Sequence, residues 1–162
     1  MAVQGKKKGN AFERTIANLL SSRFKERTGL EQSFIRAVDS GAYYGGKNSA
    51  RMLTHNLEKA NYSDFKFNIE CKFYKSPPTF VSVLKQDIKE WDGWIEQASN
   101  DAEKAKKEMI LIIKYNNVPA FALINYKTWD SLNLYQDSYK PDYVEVKKAF
   151  SYKQRYYVYL LA

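Results

Sequence analysis

Hydrophobic residues along the chain fall into three regular patterns. Phe12, Ile16, Leu19, Leu20 and Phe24 recur at helical spacing. Asn10, with Glu13 three positions on, reads as the N-cap of a helix of about fifteen residues that Gly29 stops. Phe65, Phe67, Ile69, Cys71 and Phe73 alternate with Lys66, Asn68, Glu70, Lys72 and Tyr74, a strand from Asp64 to Tyr74 that Ser76-Pro77-Pro78 ends. Val81, Leu84, Ile88, Trp91, Ile95, Ala98, Ala102 and Ala105 repeat at alternating steps of three and four. That predicts one long helix, with Asp92-Gly93 as the place for a bend or break.

Shorter segments fill the order. Residues 1–9 are basic and contain glycine, and read as a mobile basic tail. Ser33 to Val38 forms a short strand, Asp39 to Gly46 a turn-rich loop, and 47–63 irregular structure or a short helical turn. Two apolar strands, 109–115 and 118–124, flank the hairpin signal Asn116-Asn117. Residues 126–134 read as a short helix, and the aromatic stretches 143–150 and 152–161 as strands. Trp91 and Trp94 belong to the core. No repeat or linker interrupts residues 1–162, so the expectation is one α/β domain.

A chain of 162 residues can bury a real core, since domains near that size hide roughly 70% of their unfolded surface. One cysteine, Cys71, excludes an intrachain disulfide and makes a reducing cytoplasm the expected setting. One histidine, His55, excludes mechanisms that need two. No apolar run approaches a membrane span, and the start lacks the apolar core of a secretion signal. Any catalysis must rest on carboxylates and lysines, with or without an oxygen-liganded metal. The net charge of +8 is uneven: residues 1–51 carry ten bases and four acids, and the remainder sixteen and fourteen. A polyanionic partner would meet the N-terminal third.

The central chemical candidate is Glu70-Cys71-Lys72. An acid–x–Lys pattern also occurs at 64–66, 87–89 and 145–147, so the tripeptide alone says little. Its place on a clear strand puts both charged members on one face with Cys71 turned the other way. A fixed carboxylate can hold Mg²⁺ or Mn²⁺ through oxygen, and a nearby lysine can orient water and steady phosphate charge. The bland alternative is an ordinary Glu/Lys pair on a solvated strand face. Glu13 sits at the edge of an apolar stripe formed with Ala17, Leu20 and Phe24. It is there as a capping-box acid, or as a buried carboxylate that needs a cation or hydrogen bonds.

These residues carry a resemblance. Lys8-Gly9-Asn10-Ala11-Phe12-Glu13-Arg14, Phe34-Ile35-Arg36 with Ser40-Gly41, Phe67 to Lys72, and Trp94-Ile95-Glu96-Gln97-Ala98 followed by the strand 109–115 are similar in order and spacing to the PD-(D/E)XK nuclease superfamily. They resemble archaeal Holliday junction resolvases and small phage-encoded resolvase-like endonucleases most closely, over residues 8–125. The resemblance implies a restriction-endonuclease-like core, a central mixed β-sheet flanked by helices. It also implies metal-dependent hydrolysis of phosphodiesters in branched DNA by an activated water, and a homodimer that cuts two strands. It makes Glu70 the strand metal ligand, Lys72 the catalytic lysine, Glu13 a helix carboxylate near the metal and Gln97 a supporting glutamine. Arg36 and Ser40 become phosphate contacts. The family's central Asp falls near Thr54-His55-Asn56, where this chain has no acid. Asn56 can ligate through its carbonyl, Glu58 can substitute if the register shifts by two, and Asp39 is a further candidate.

Lys6, Lys7, Lys8, Arg14, Arg36, Lys47 and Arg51 would neutralise phosphates if nucleic acid is the partner. Tyr43-Tyr44 beside Gly45-Gly46 could stack on unpaired bases, or simply pack the loop. The seven tyrosines after residue 134 suit strand packing or an interface. A second function therefore stands beside the endonuclease: a nuclease-fold DNA-binding or regulatory protein that has lost cleavage along with the acid near residue 56. A third is a module whose basic surface meets an acidic protein.

Overall fold

The computed structural model describes residues 2–36, 52–54, 65–133 and 148–160. Helix α1 (Ala2–Thr28) leads into the two-stranded sheet of β1 (Phe34–Arg36) and β2 (Met52–Thr54). Strand β3 (Phe67–Tyr74) follows, then α2 (Phe80–Lys85), α3 (Lys89–Lys104), β4 (Glu108–Tyr115), β5 (Phe121–Asn125), α4 (Tyr126–Asn133), β6 (Lys148–Tyr152) and β7 (Tyr156–Leu160). The main sheet is mixed, in the order β3-β4-β5-β7-β6. β3 and β4 run parallel through the helical crossover, and every later pairing is antiparallel. The expected α/β sheet flanked by helices is what forms.

Each sheet face has its own helix because side chains alternate across the pleat. On one face Phe12 and Ile16 of α1 pack on Ile69, Cys71, Ile112, Ala122 and Ile124. On the other, Trp91, Trp94, Ile95 and Ala98 of α3 cover Leu111, Ile113, Leu123 and Val158. Both tryptophans are core residues, and Trp91 Nε1 donates to Tyr115 Oη at 2.8 Å. β1 is tied to α1 by Ser21, whose Oγ accepts from the backbone N–H of Phe34 at 2.9 Å and of Ser33 at 3.2 Å.

Three sequence expectations change. The first helix starts at Ala2, so Asn10 lies inside it and Glu13 is not a capping-box residue. Lys6 to Lys8 are good helix formers, and no proline interrupts the run, so helix extends through Gly5 and Gly9. Its end is as expected: Gly29 takes φ 67° and donates its N–H to Lys25 O at 2.8 Å. The second change is at 47–63, where Met52–Thr54 is a strand pairing with β1.

The third change is that the long helix breaks at Gln86 and not at Asp92-Gly93. Gln86 adopts φ 52°, and its N–H and that of Asp87 close the turn on Val83 and Ser82. Its side chain accepts from Lys153 N at 2.7 Å, and Tyr152 Oη accepts from Ile88 N at 3.2 Å. The β6–β7 hairpin thus holds the break open, while Asp92 and Gly93 continue inside α3.

Candidate active site

Strand β3 lies at the edge of the main sheet. Its alternation turns Ile69 and Cys71 to the α1 side and Glu70 and Lys72 to the α3 side, paired in register with Leu111 and Ile113. Glu70 is only 1% exposed, so the solvated-face alternative does not hold. Its Oε1 meets Lys72 Nζ at 2.8 Å, and the same ammonium donates to Gln97 Oε1 on α3 at 3.0 Å. Glu70 Oε2 has no hydrogen-bond partner among the described residues.

Burial pushes the Glu70 carboxyl up from 4.5 to about 7, despite the pull of Lys72 in the opposite direction. The negative charges of Asp101 and Glu13 add to the upward push. Glu13 is buried on α1. Among the described residues no strand of the main sheet pairs with the outer side of β3. Two further carboxylates, Asp101 and Glu13, act on Glu70, which is paired with the half-buried Lys72. Cys71, on the opposite face, has its thiol pushed well up by burial and lies among Phe12, Ile16 and Ile69.

Glu70, Lys72 and Gln97 are therefore joined by direct contacts, and the charge of Glu13 on α1 is felt at Glu70. Lys7, Lys8 and Arg14 are exposed on α1, and Lys8 Nζ stands 5.9 Å over the Phe73 ring at the same end of β3. Lys6 lies in the same stretch of α1, and Arg36 ends β1. Ser40, Lys47, Arg51, Asn56 and Glu58 lie outside the described residues, as do Asp39, Tyr43, Tyr44 and His55.

Two residues beside the site were not singled out as candidates from the sequence. Asp101 is buried one turn beyond Gln97 on α3, and the signal was there: Trp94, Gln97 and Asp101 keep helical spacing beside the apolar stripe. Asn68, two positions before Glu70, is buried with its Nδ2 lacking a partner among the described residues.

The donor set is all oxygen and its charge is in acid excess, which suits a hard divalent cation. Glu70 Oε2 offers a ligand position. Among the described residues no three acidic, histidine or cysteine side chains converge closely enough to enclose an ion by themselves. No helix among them is long and apolar enough to cross a membrane.

Residues 4–162 match a family model described as "Phage putative PDDEXK endonuclease". The chain belongs to that family. The match runs well past the 8–125 expected from the motifs and takes in β6 and β7. No curated protein and no solved structure matches. The family is one of endonucleases, and one of the chain's acid–x–Lys sequences, Glu70-Cys71-Lys72, lies on the edge strand β3.

Proposed function

We propose that this chain is a divalent-metal-dependent DNA endonuclease of resolvase-like specificity, which hydrolyses phosphodiesters in branched DNA as a homodimer. The observation that carries the reading is the buried Glu70 on the edge strand, linked through Lys72 to Gln97 of α3, in an endonuclease-family protein. Glu70 and Glu13 would hold Mg²⁺ or Mn²⁺, with a further oxygen from Asn56 or Glu58. When bound, the cation polarises the phosphate and makes its water more acidic.

The chain's own residues do the rest. Lys72 has three N–H donors; Glu70 and Gln97 accept from two directions. That grip aims the third at the attacking water or a non-bridging phosphate oxygen, where it offsets developing negative charge. Gln97 is a positioning residue acting through Lys72. Asp101 adds negative charge beside Glu70, favouring a cation there. Lys6, Lys7, Lys8, Arg14, Arg36, Ser40, Lys47 and Arg51 would hold the phosphate backbone.

Cleavage of a four-way junction, a flap and a linear duplex, each with Mg²⁺ or Mn²⁺, tests the specificity. The expected result is faster cutting of branched substrates, with a sedimentation mass of two chains. Equal cutting of all three would refute the resolvase-like part. One observation favours a second reading, the lack of an acid at residues 54–56. Tight junction binding with no metal requirement and no cutting, with cleavage gained in Asn56→Asp, would establish a DNA-binding protein that has lost its activity.

A further inference from the structure

Helix α2 is turned inside out. None of its residues is buried, and Phe80, Val81 and Leu84 are 75%, 56% and 65% exposed. At helical spacing these three share one face, while Val83 on the flank is the residue that packs on the core. Just before it, Tyr74 is 48% exposed with its ring 4.5 Å from that of Trp94. An apolar surface on this scale marks an interaction site. It is firmly placed: Pro77 and Pro78 restrict the connection, and Thr79 Oγ1 caps α2 by accepting from Ser82 N at 3.1 Å.

Location and charge identify the occupant. Tyr74 is two residues past Lys72 on the same strand, roughly 7 Å along it. Lys75, Lys85 and Lys89 are exposed along the segment that carries the apolar face, against the two exposed acids Asp87 and Glu90. Lys8 of α1 lies over Phe73 at the same strand end. A symmetric pairing of two copies through α2 would bring two copies of the same lysine-bearing surface together. A polyanion has the complementary charge. Aromatic and aliphatic side chains beside phosphate-binding lysines can stack on unpaired bases or wedge between base steps.

We propose that the exposed face of α2, with Tyr74, is a wedge for unstacked bases at the branch point of the DNA substrate. This rests on the branched-DNA reading above and adds the element that recognises the branch. It predicts a division of labour, in which lysines hold backbone of any shape and Phe80 with Leu84 supplies the preference for unpaired bases.

The test uses the full chain with Ca²⁺ in place of Mg²⁺, and junction and duplex DNA carrying 2-aminopurine at the branch or at the matching duplex position. Wild type should change the 2-aminopurine signal at the branch alone. Phe80→Ala should abolish that change and weaken junction binding by roughly 5- to 100-fold, the scale of losing one stacked base. Duplex affinity and melting temperature should hold, and Phe80→Trp should restore the signal. Unchanged junction binding by Phe80→Ala, or equal losses on junction and duplex, would overturn the proposal while leaving the endonuclease reading intact. Dissociation of a dimer by Phe80→Ala with junction preference unaltered would assign the face to a second copy and also overturn it. A wild type that binds no DNA would overturn both readings.

Discussion

Glu70 is where the chemistry of the site and the stability of the fold pull against each other. Its carboxyl is raised to about 7 because burial disfavours the charge more than Lys72 favours it. Between about pH 4.5 and 7 the native state holds a proton that the unfolded chain has released, so stability falls as pH rises through that window. Above it the cost is about 3 kcal/mol. In metal-free buffer, thermal unfolding of wild type should lose ground to Glu70→Gln as pH rises across the interval; parallel curves would contradict this. Gln97→Leu removes the second acceptor of Lys72, and loss of such a supporting contact should lower cleavage by roughly 10- to 100-fold with little change in DNA affinity. Equal falls in both would make Gln97 a structural residue only. The sequence showed that Glu70 and Lys72 share a face, since alternation guarantees it. It did not show that α3 covers that face, because a two-residue period reports direction and not what lies above. For the same reason nothing in the local pattern singled out Asp101 as buried.

At the scale of elements, most of the fold was legible wherever burial is one-sided or a turn has strong chemistry. The stripe of α3, the alternation of β3, the Asn116-Asn117 turn and the cap at Gly29 all form near their expected places, with Asn117 at φ 58°. The misplaced break illustrates what local pattern lacks. Gln86 is held by backbone groups 65 and 67 residues away, and no local signal reports those partners. The start of α1 was misjudged because Asn10 is a strong cap in isolation, whereas the lysines before it continue the helix. Gly5 and Gly9 have open space where a Cβ would sit. Gly9→Ala should therefore strengthen the first turns by about 0.5–1 kcal/mol. Circular dichroism and melting would register more helix and a higher midpoint, and a loss of helix would show that residues 2–9 are not helical.

For the whole molecule, the described part of the N-terminal charge surplus lies largely on α1, where Lys7, Lys8 and Arg14 are exposed. The basic start of α1 reaches the end of β3 through Lys8 over Phe73, and Lys75, Lys85 and Lys89 are exposed on the segment that follows. If these hold phosphates, Lys8→Ala should weaken binding to any DNA and reduce the slope of log K against log salt by about one. An unchanged slope would remove Lys8 from the DNA path. The central claim is that Glu70 and Lys72 form a hydrolytic site. The most direct measurement compares wild type and Glu70→Ala for cleavage of a labelled four-way junction with Mg²⁺ or Mn²⁺. Wild type should cut only with metal, leaving the clean ends of hydrolysis, and Glu70→Ala should bind the same junction but cut it at least 100-fold more slowly. Absence of cutting by wild type with either metal, or equal cutting by Glu70→Ala, would contradict the account.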